Sequence, residues 1–208
     1  MMRYKEYSGL RFLRRVFYDL LLKRLLAKAE RFLDVGCGRG EFLLSCINNE
    51  KICIGVDIDI KQIDKMVKEY INSSGGAIVV ADMFHMPFKN DSFHVIFYSH
   101  VIEHVSVRDA VKILNSFCKI ARIIIIITPS YHRNFWTPGH ITPYTMKILN
   151  KVMILSGFDP LLVTYDKAFI LNLPSQIFEK RLIKDFLNNI PISRVKLNLI
   201  AIGISRCK

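Results

Sequence analysis

The 208-residue sequence has no C-x-x-C pair, and its five cysteines, Cys37, Cys46, Cys53, Cys118 and Cys207, are odd in number and scattered. That spacing predicts neither a zinc cluster nor a disulfide framework, and points to a reducing, cytoplasmic compartment. Long apolar runs are missing too: the longest, Ile123–Ile127, is five isoleucines, where roughly 20 apolar residues are needed to span a bilayer. The amino-terminal stretch alternates Arg and Lys with Leu and lacks the unbroken apolar segment of a secretory leader. No internal repeat or low-complexity tract is visible, which excludes a solenoid or a long disordered linker. Acidic residues are in deficit, 18 against 30 Lys and Arg, and the deficit is local. Residues 1–31 carry nine basic and three acidic side chains, residues 175–208 seven and two, and the 143 between are nearly neutral. Such ends are solvated helix faces or a docking surface for something anionic: a phosphorylated substrate, lipid head groups or RNA.

What is present is apolar sequence in two alternating rhythms. At 51% hydrophobic the chain can bury one sizeable core, so a single domain over 1–208 is expected. Helical spacing over residues 10–29 marks an amino-terminal helical extension, within 1–30. Strands are then expected at "RFLDV", "KICIGVD", "GGAIVVAD", "SFHVIFYS" and "ARIIIIITP", the last buried on both faces. Helices are expected at 41–48, 61–72 and 107–120 between them. Strands separated by amphipathic helices predict an α/β fold, a Rossmann-like three-layer sandwich with a mainly parallel sheet and helices on both faces. Further on come a loop, "SYHRNFWTPGHI", a helix over 142–156 ending at Gly157, a strand at "FDPLLVTYD", an amphipathic helix at 176–188 and a strand at "LNLIAIGIS". The final strand pair is expected to contain one antiparallel member. Segments 129–145 and 167–192 are read as insertions on the substrate side.

Ligands of open α/β sheets bind beyond the carboxyl ends of the strands. At the first such end, "LDVGCGRGEF" places Gly36, Gly38 and Gly40 in G-x-G-x-G spacing, followed at once by Glu41. A dinucleotide pyrophosphate favours G-x-G-x-x-G and a helix terminus free of carboxylate, so a nicotinamide dehydrogenase is disfavoured. Acid from Asp34 and Glu41 suits a cationic ligand. The second strand ends at Asp57, a carboxylate suited to two ribose hydroxyls, and the third at Asp82, suited to an exocyclic amine with the Met83 N–H beside it. A nucleoside joined to a cationic amino-acid tail describes S-adenosylmethionine. At these residues the chain resembles the class I S-adenosylmethionine-dependent methyltransferases. The resemblance is carried by "LDVGCGRGEF", "GVDID", "ADMFHMPFKNDSFHVIFYSHVIEHV" and "ITPS" with the later "GHIT" and "LSGF". It implies a seven-stranded sheet with the last strand antiparallel. It also implies a cofactor site of Asp34, Gly36, Cys37, Gly38, Gly40, Asp57, Ile58, Asp82, Met83, Ser99 and His100. His94 departs from the family, where Asp is common, at a position that serves the start of a strand rather than the cofactor.

All six histidines fall between residues 85 and 140. "HVIEH" matches the zinc-protease pattern formally, but it leaves a strand rather than lying within a helix. His104 and His140 are the candidate general bases; their alternative role is to orient the pocket wall. A divalent metal bound by His100, Glu103, His104 and His140 is a further reading, since imidazole and carboxylate suit such ions; small-RNA 3′-terminal 2′-O-methyltransferases resemble this arrangement, although they carry a glutamate where His100 stands. No metal ligand is retained in the expected site. Tyr4, Tyr7, His100, Tyr131, His132, Phe135, Trp136 and His140 are the substrate-side candidates, with Tyr7, Tyr131, Trp136 and His140 favoured. The expected activity is methyl transfer to an oxygen or nitrogen of a small molecule, glycan- or lipid-linked acceptors included; the alternative is an RNA 2′-O-methyltransferase with a Glu/His metal cluster. The basic 176–188 helix is suited to peripheral contact with an anionic membrane or to packing on the sheet.

Overall fold

The computed structural model describes residues 18–19, 21–63, 65–131, 138–165 and 198–207. Seven strands form one sheet in the order β3-β2-β1-β4-β5-β7-β6. They are β1 (Arg31–Val35), β2 (Ile52–Asp57), β3 (Ala77–Val80), β4 (Phe93–Ser99), β5 (Ala121–Pro129), β6 (Phe158–Tyr165) and β7 (Asn198–Ser205). The helices are α1 (Glu41–Asn48), α2 (Lys65–Ser73), α3 (Val107–Ile120) and α4 (Met146–Leu155). By contact the chain groups into two compact units, Met1–Phe97 and Tyr98–Lys208.

In the first unit β1 pairs with β2 and β2 with β3, all parallel. Leu33, Cys53, Val56, Val95 and Ile96 are buried along the strands, and Phe42 stacks on Phe97 with Tyr18 edge-on to both. The start of β1 is fixed by His94, whose Nδ1 accepts from the amides of Glu30 (3.0 Å) and Arg31 (3.3 Å). An imidazole thus acts as the acceptor where the family commonly has a carboxylate, and the expectation that His94 serves a strand start holds. The 61–72 helix is divided: a 3₁₀ turn at Ile60–Gln62, capped by Asp59, precedes α2. Within the expected amino-terminal helix, the described residues hold a short helical turn at Leu21–Leu25.

In the second unit β7 runs antiparallel to both β5 and β6 and lies between them. The last strand in the chain is therefore the antiparallel one, as expected, yet the sheet ends on β6. From Ile124 to Ser130 β5 and the residue after it are buried without a break, apart from nothing more than a 6% exposure at Ile127. α4 starts at Met146 rather than 142, because Thr145 accepts the Ile148 amide as its N-cap. Gly157 follows α4 with φ +87°, a conformation suited to glycine at a helix end.

One expectation is corrected here. Cys118 and Cys207 are disulfide-bonded, with Cα atoms 5.6 Å apart and a sequence separation of 89. The spacing of the cysteines gives no sign of this, because α3 and the residue beyond β7 meet only through tertiary packing against Gly157. A Cβ at Gly157 would lie 2.7 Å from the Cys207 sulfur and 2.9 Å from that of Cys118. Cys37, Cys46 and Cys53 are free and buried.

Candidate active site

In the first unit the glycine loop leaves β1 in three left-handed steps, with φ +72° at Gly36, +49° at Gly38 and +75° at Gly40. Two amides, those of Gly36 (2.7 Å) and Cys37 (3.1 Å), donate to the single carbonyl of Val56, tying the loop to β2. The Gly40 amide closes the turn onto the Cys37 carbonyl at 2.8 Å, and the Gly40 carbonyl accepts the Leu44 amide as α1 begins. A Cβ built on Gly38 meets nothing within 4 Å, so open space lies over that residue. Cys37 is different: its side chain lies where a Cβ on Gly55 would go, at 2.9 Å from the sulfur, so the thiol packs down on β2. Burial pushes the Cys37 thiol far up, with the charges of Asp34 and Asp57 adding to it.

Asp57 closes the loop from the end of β2. Its Oδ2 accepts the Gly38 amide at 2.9 Å and its Oδ1 the Asp59 amide at 2.9 Å. Asp82 accepts the Phe84 amide on Oδ1 at 2.9 Å. Both acids therefore cap local backbone, and both retain acceptor capacity, since each carboxylate oxygen carries two lone pairs. Ile58, next to Asp57, is 73% exposed. Asp34 is buried at the base of the loop, and its pKa is pushed up to about 8 by burial, with the nearby Asp57 charge adding to it.

In the second unit Ser99 ends β4 and His100 follows in a left-handed conformation, φ +57°, its amide donating to the Ile127 carbonyl at 2.8 Å. A 3₁₀ turn, Ile102–His104, comes next. The segment carrying His140 is strapped to this turn. The amides of Ile141 (2.8 Å) and Thr142 (3.1 Å) donate to the Glu103 carbonyl, and the Thr142 hydroxyl donates to the Val105 carbonyl at 2.6 Å. These bonds hold the rings of His104 and His140 edge to face, centroids 5.0 Å apart. The two candidate bases are thus brought together, as the placement of their segments predicts.

Glu103, which the expected site leaves out, is the buried centre of this region. Its side chain is 2% exposed, its Oε2 accepts from the Thr128 hydroxyl at 3.0 Å, and its Oε1 lies 3.4 Å from His100 Nδ1. Burial first, and the Glu103 charge with it, pushes the phenols of Tyr98 and Tyr144 far up, so both stay neutral. The signal was present in "HVIEH", but only the fold shows that the glutamate turns inward. Tyr131 is half-exposed at the end of β5. Of the remaining candidates, Tyr4, Tyr7, His132, Phe135 and Trp136 lie outside the described residues, as does the 176–188 helix.

Comparison with known proteins adds a family to this geometry. Residues 33–123 match the profile of the methyltransferase domain. An uncharacterized protein of Methanocaldococcus jannaschii is 27% identical over 134 residues, 64% of this chain and 50% of its own length. The chain thus spans about half the length of that relative. Among solved structures, a SAM-dependent methyltransferase from Archaeoglobus fulgidus superposes with TM-score 0.60 at 21% identity, covering 96% of this chain and 100% of the other. A geranyl diphosphate methyltransferase in complex with SAM superposes with TM-score 0.65 at 15% identity, covering 95% and 87%. Among the described residues, no helix is long and apolar enough to cross a membrane.

Proposed function

From a chain with a methyltransferase domain at residues 33–123 and the class I S-adenosylmethionine-dependent methyltransferase fold, we propose S-adenosylmethionine-dependent methyl transfer to a small-molecule oxygen or nitrogen. The observation that carries this reading is the open space over Gly38, a residue whose own amide is held by the Asp57 carboxylate. A ligand can approach the backbone there, and Asp57 has lone pairs left for ribose hydroxyls. Exposed Ile58 offers an apolar face to an adenine ring, while Asp82 and the Met83 amide suit its exocyclic amine and ring nitrogen. Asp34, Gly36 and Gly40 shape the end that receives the amino-acid tail. Cys37 serves this site through its backbone turn, since its thiol is packed on Gly55. Ser99 and His100, in the second unit, are the remaining cofactor-binding candidates in this reading.

S-adenosylmethionine, when bound, supplies an electrophilic methyl on a sulfonium. The chain has to align the acceptor, exclude water and accept a proton where the acceptor is a hydroxyl. The tautomer of His104 is defined by its Nδ1, which lies 2.9 Å from the Gly139 carbonyl, a group that can only accept. The proton therefore sits on Nδ1 and the lone pair on Nε2, the form a general base needs. His140, Tyr131, Tyr7 and Trp136 form the substrate side in this reading. A small-molecule acceptor is supported by the geranyl diphosphate methyltransferase among the similar structures. An RNA 2′-hydroxyl is the second reading, favoured by the juxtaposition of Glu103, His104 and His140.

The test is calorimetric titration of S-adenosylhomocysteine and of NAD into wild type and Asp57→Ala. S-adenosylhomocysteine is expected to bind and NAD not to. Asp57→Ala should weaken the former by about 1.5–3 kcal/mol, roughly 10- to 150-fold. Unchanged affinity in the variant would remove Asp57 from the cofactor site.

A further inference from the structure

A buried carboxylate with unused acceptor capacity is costly unless a cation or a donor satisfies it. Glu103 is such a group: Oε2 is taken by the Thr128 hydroxyl, but Oε1 is buried and accepts no hydrogen bond among the described residues. One ligand atom from each of Glu103, His104 and His140 lies within 4.8 Å of the others. Two donors on one first-row metal ion sit about 3–4 Å apart, given metal–ligand bonds of roughly 2.0–2.2 Å. Side-chain adjustment of about an ångström would bring all three onto one ion.

Second-sphere geometry already favours metal binding over mere proximity. A ligating imidazole is oriented by donating its other ring N–H to a carbonyl or carboxylate. His104 does this through Nδ1 to Gly139 at 2.9 Å, which leaves Nε2 as a σ-donor. The glycine belongs to the segment carrying His140, and that segment is fixed to Glu103 and Val105 by the three bonds from Ile141 and Thr142. One strap thus positions both histidines relative to the carboxylate before any ion arrives. Among these three residues His104 is exposed and His140 half-buried, so an ion has a path in.

We infer that Glu103, His104 and His140 form a binding site for a divalent first-row transition ion such as Zn²⁺ or Co²⁺. Two imidazoles and one carboxylate favour such ions over Mg²⁺ or Ca²⁺, which prefer all-oxygen shells. Three protein ligands leave coordination positions for water or for an oxygen of a bound molecule. This goes beyond the methyl-transfer reading and does not depend on it, because the ion can be titrated with no cofactor or acceptor present. The competing partner for Glu103 Oε1 is a protonated His100, whose Nδ1 is 3.4 Å away.

The experiment is titration of Co²⁺ into the EDTA-treated, desalted full chain, followed by d–d absorption, with Zn²⁺ competition by calorimetry. Wild type is expected to bind one ion without a thiolate-to-cobalt charge-transfer band. His140→Ala and Glu103→Gln should each lose at least tenfold in affinity, whereas His100→Ala should retain it. Circular dichroism melts identify any variant that fails to fold, and His104→Gln gives a second, exposed test of the ligand set. Absence of Co²⁺ and Zn²⁺ binding in wild type, or binding undiminished in both His140→Ala and His104→Gln, overturns the site. S-adenosylhomocysteine affinity, measured separately without metal, tests only the cofactor reading, so failure of one is distinguishable from failure of the other.

Discussion

Among the described residues, each unit of this protein buries one carboxylate beside its candidate chemistry, and the two acids are accommodated in different ways. Asp34 lies beneath the glycine loop, 4% exposed, with another acid, Asp57, as its charged neighbour. Its burial is tolerated by retaining the proton. Glu103 is equally buried, but Thr128 donates to it and His100 and His104 lie on either side of it in sequence, the first 3.4 Å from its free oxygen. The lesson is that an acid buried beside another acid is held neutral, whereas Glu103 is buried with a hydroxyl donor and imidazole nitrogens in reach. The first arrangement braces the glycine loop with a neutral acid; the second places carboxylate and imidazole ligand atoms together.

The largest effect expected from breaking this contrast is on the pH dependence of stability. Asp34 has a folded pKa of about 8 against an ordinary 3.8, so the folded chain keeps a proton that the unfolded chain releases. Its neutral form imposes no penalty below the ordinary value, and stability is then lost as pH rises towards 8, by up to several kcal/mol. Asp34→Asn, with a neutral amide, should flatten the denaturation free energy between pH 5 and 8 relative to wild type. Identical slopes for the two proteins in urea titrations would show that Asp34 is ionised in the fold.

Next in size is Thr128→Val, which keeps shape but removes the hydroxyl that donates to Glu103. Leaving that carboxylate without its donor should cost about 1–3 kcal/mol in a urea melt, with no change in S-adenosylhomocysteine affinity. A melt unchanged by the substitution would mean that Glu103 draws no support from Thr128. The smallest effect on stability is expected at Gly38→Ala. No atom lies within 4 Å of the new methyl, so only the left-handed backbone is strained, at about 1–2 kcal/mol. Cofactor affinity should nonetheless fall at least about tenfold, because the methyl enters the space proposed for the ligand. Affinity that survives Gly38→Ala would move the ligand away from the loop.

The glycine loop was the more legible of the two regions because its geometry is local. Gly36, Gly38 and Gly40 announce left-handed backbone, and Asp57 and Asp82 stand at the ends of strands whose apolar runs are easily read. The strands were located nearly to the residue for β1 and β5, since burial on both faces leaves an uninterrupted apolar signature. "GGAIVVAD" yielded only four strand residues because β3 is an edge strand and pairs with β2 alone. The Glu103 region was less legible because it is made by long-range bonds: Thr128 is 25 residues from Glu103, and Thr142 is 37 from Val105. α4 starts late because Thr145, rather than Thr142, caps it by accepting the Ile148 amide. The Cys118–Cys207 link was invisible because its ends are separated by 89 positions in sequence.

The place of β7 has a consequence for biosynthesis. A chain made from its amino end releases β5 and then β6 from the ribosome, but neither can take its final neighbour until residues 198–205 have followed. Until then the isoleucine-rich β5 offers an unpaired edge to solvent or to other nascent chains, and unpaired apolar edges are sites of aggregation. Chains released early, before residue 198, would carry that edge permanently. Insertion of one late strand therefore serves as a completion check: only a polypeptide translated through β7 can conceal its stickiest segment from chaperones and proteases.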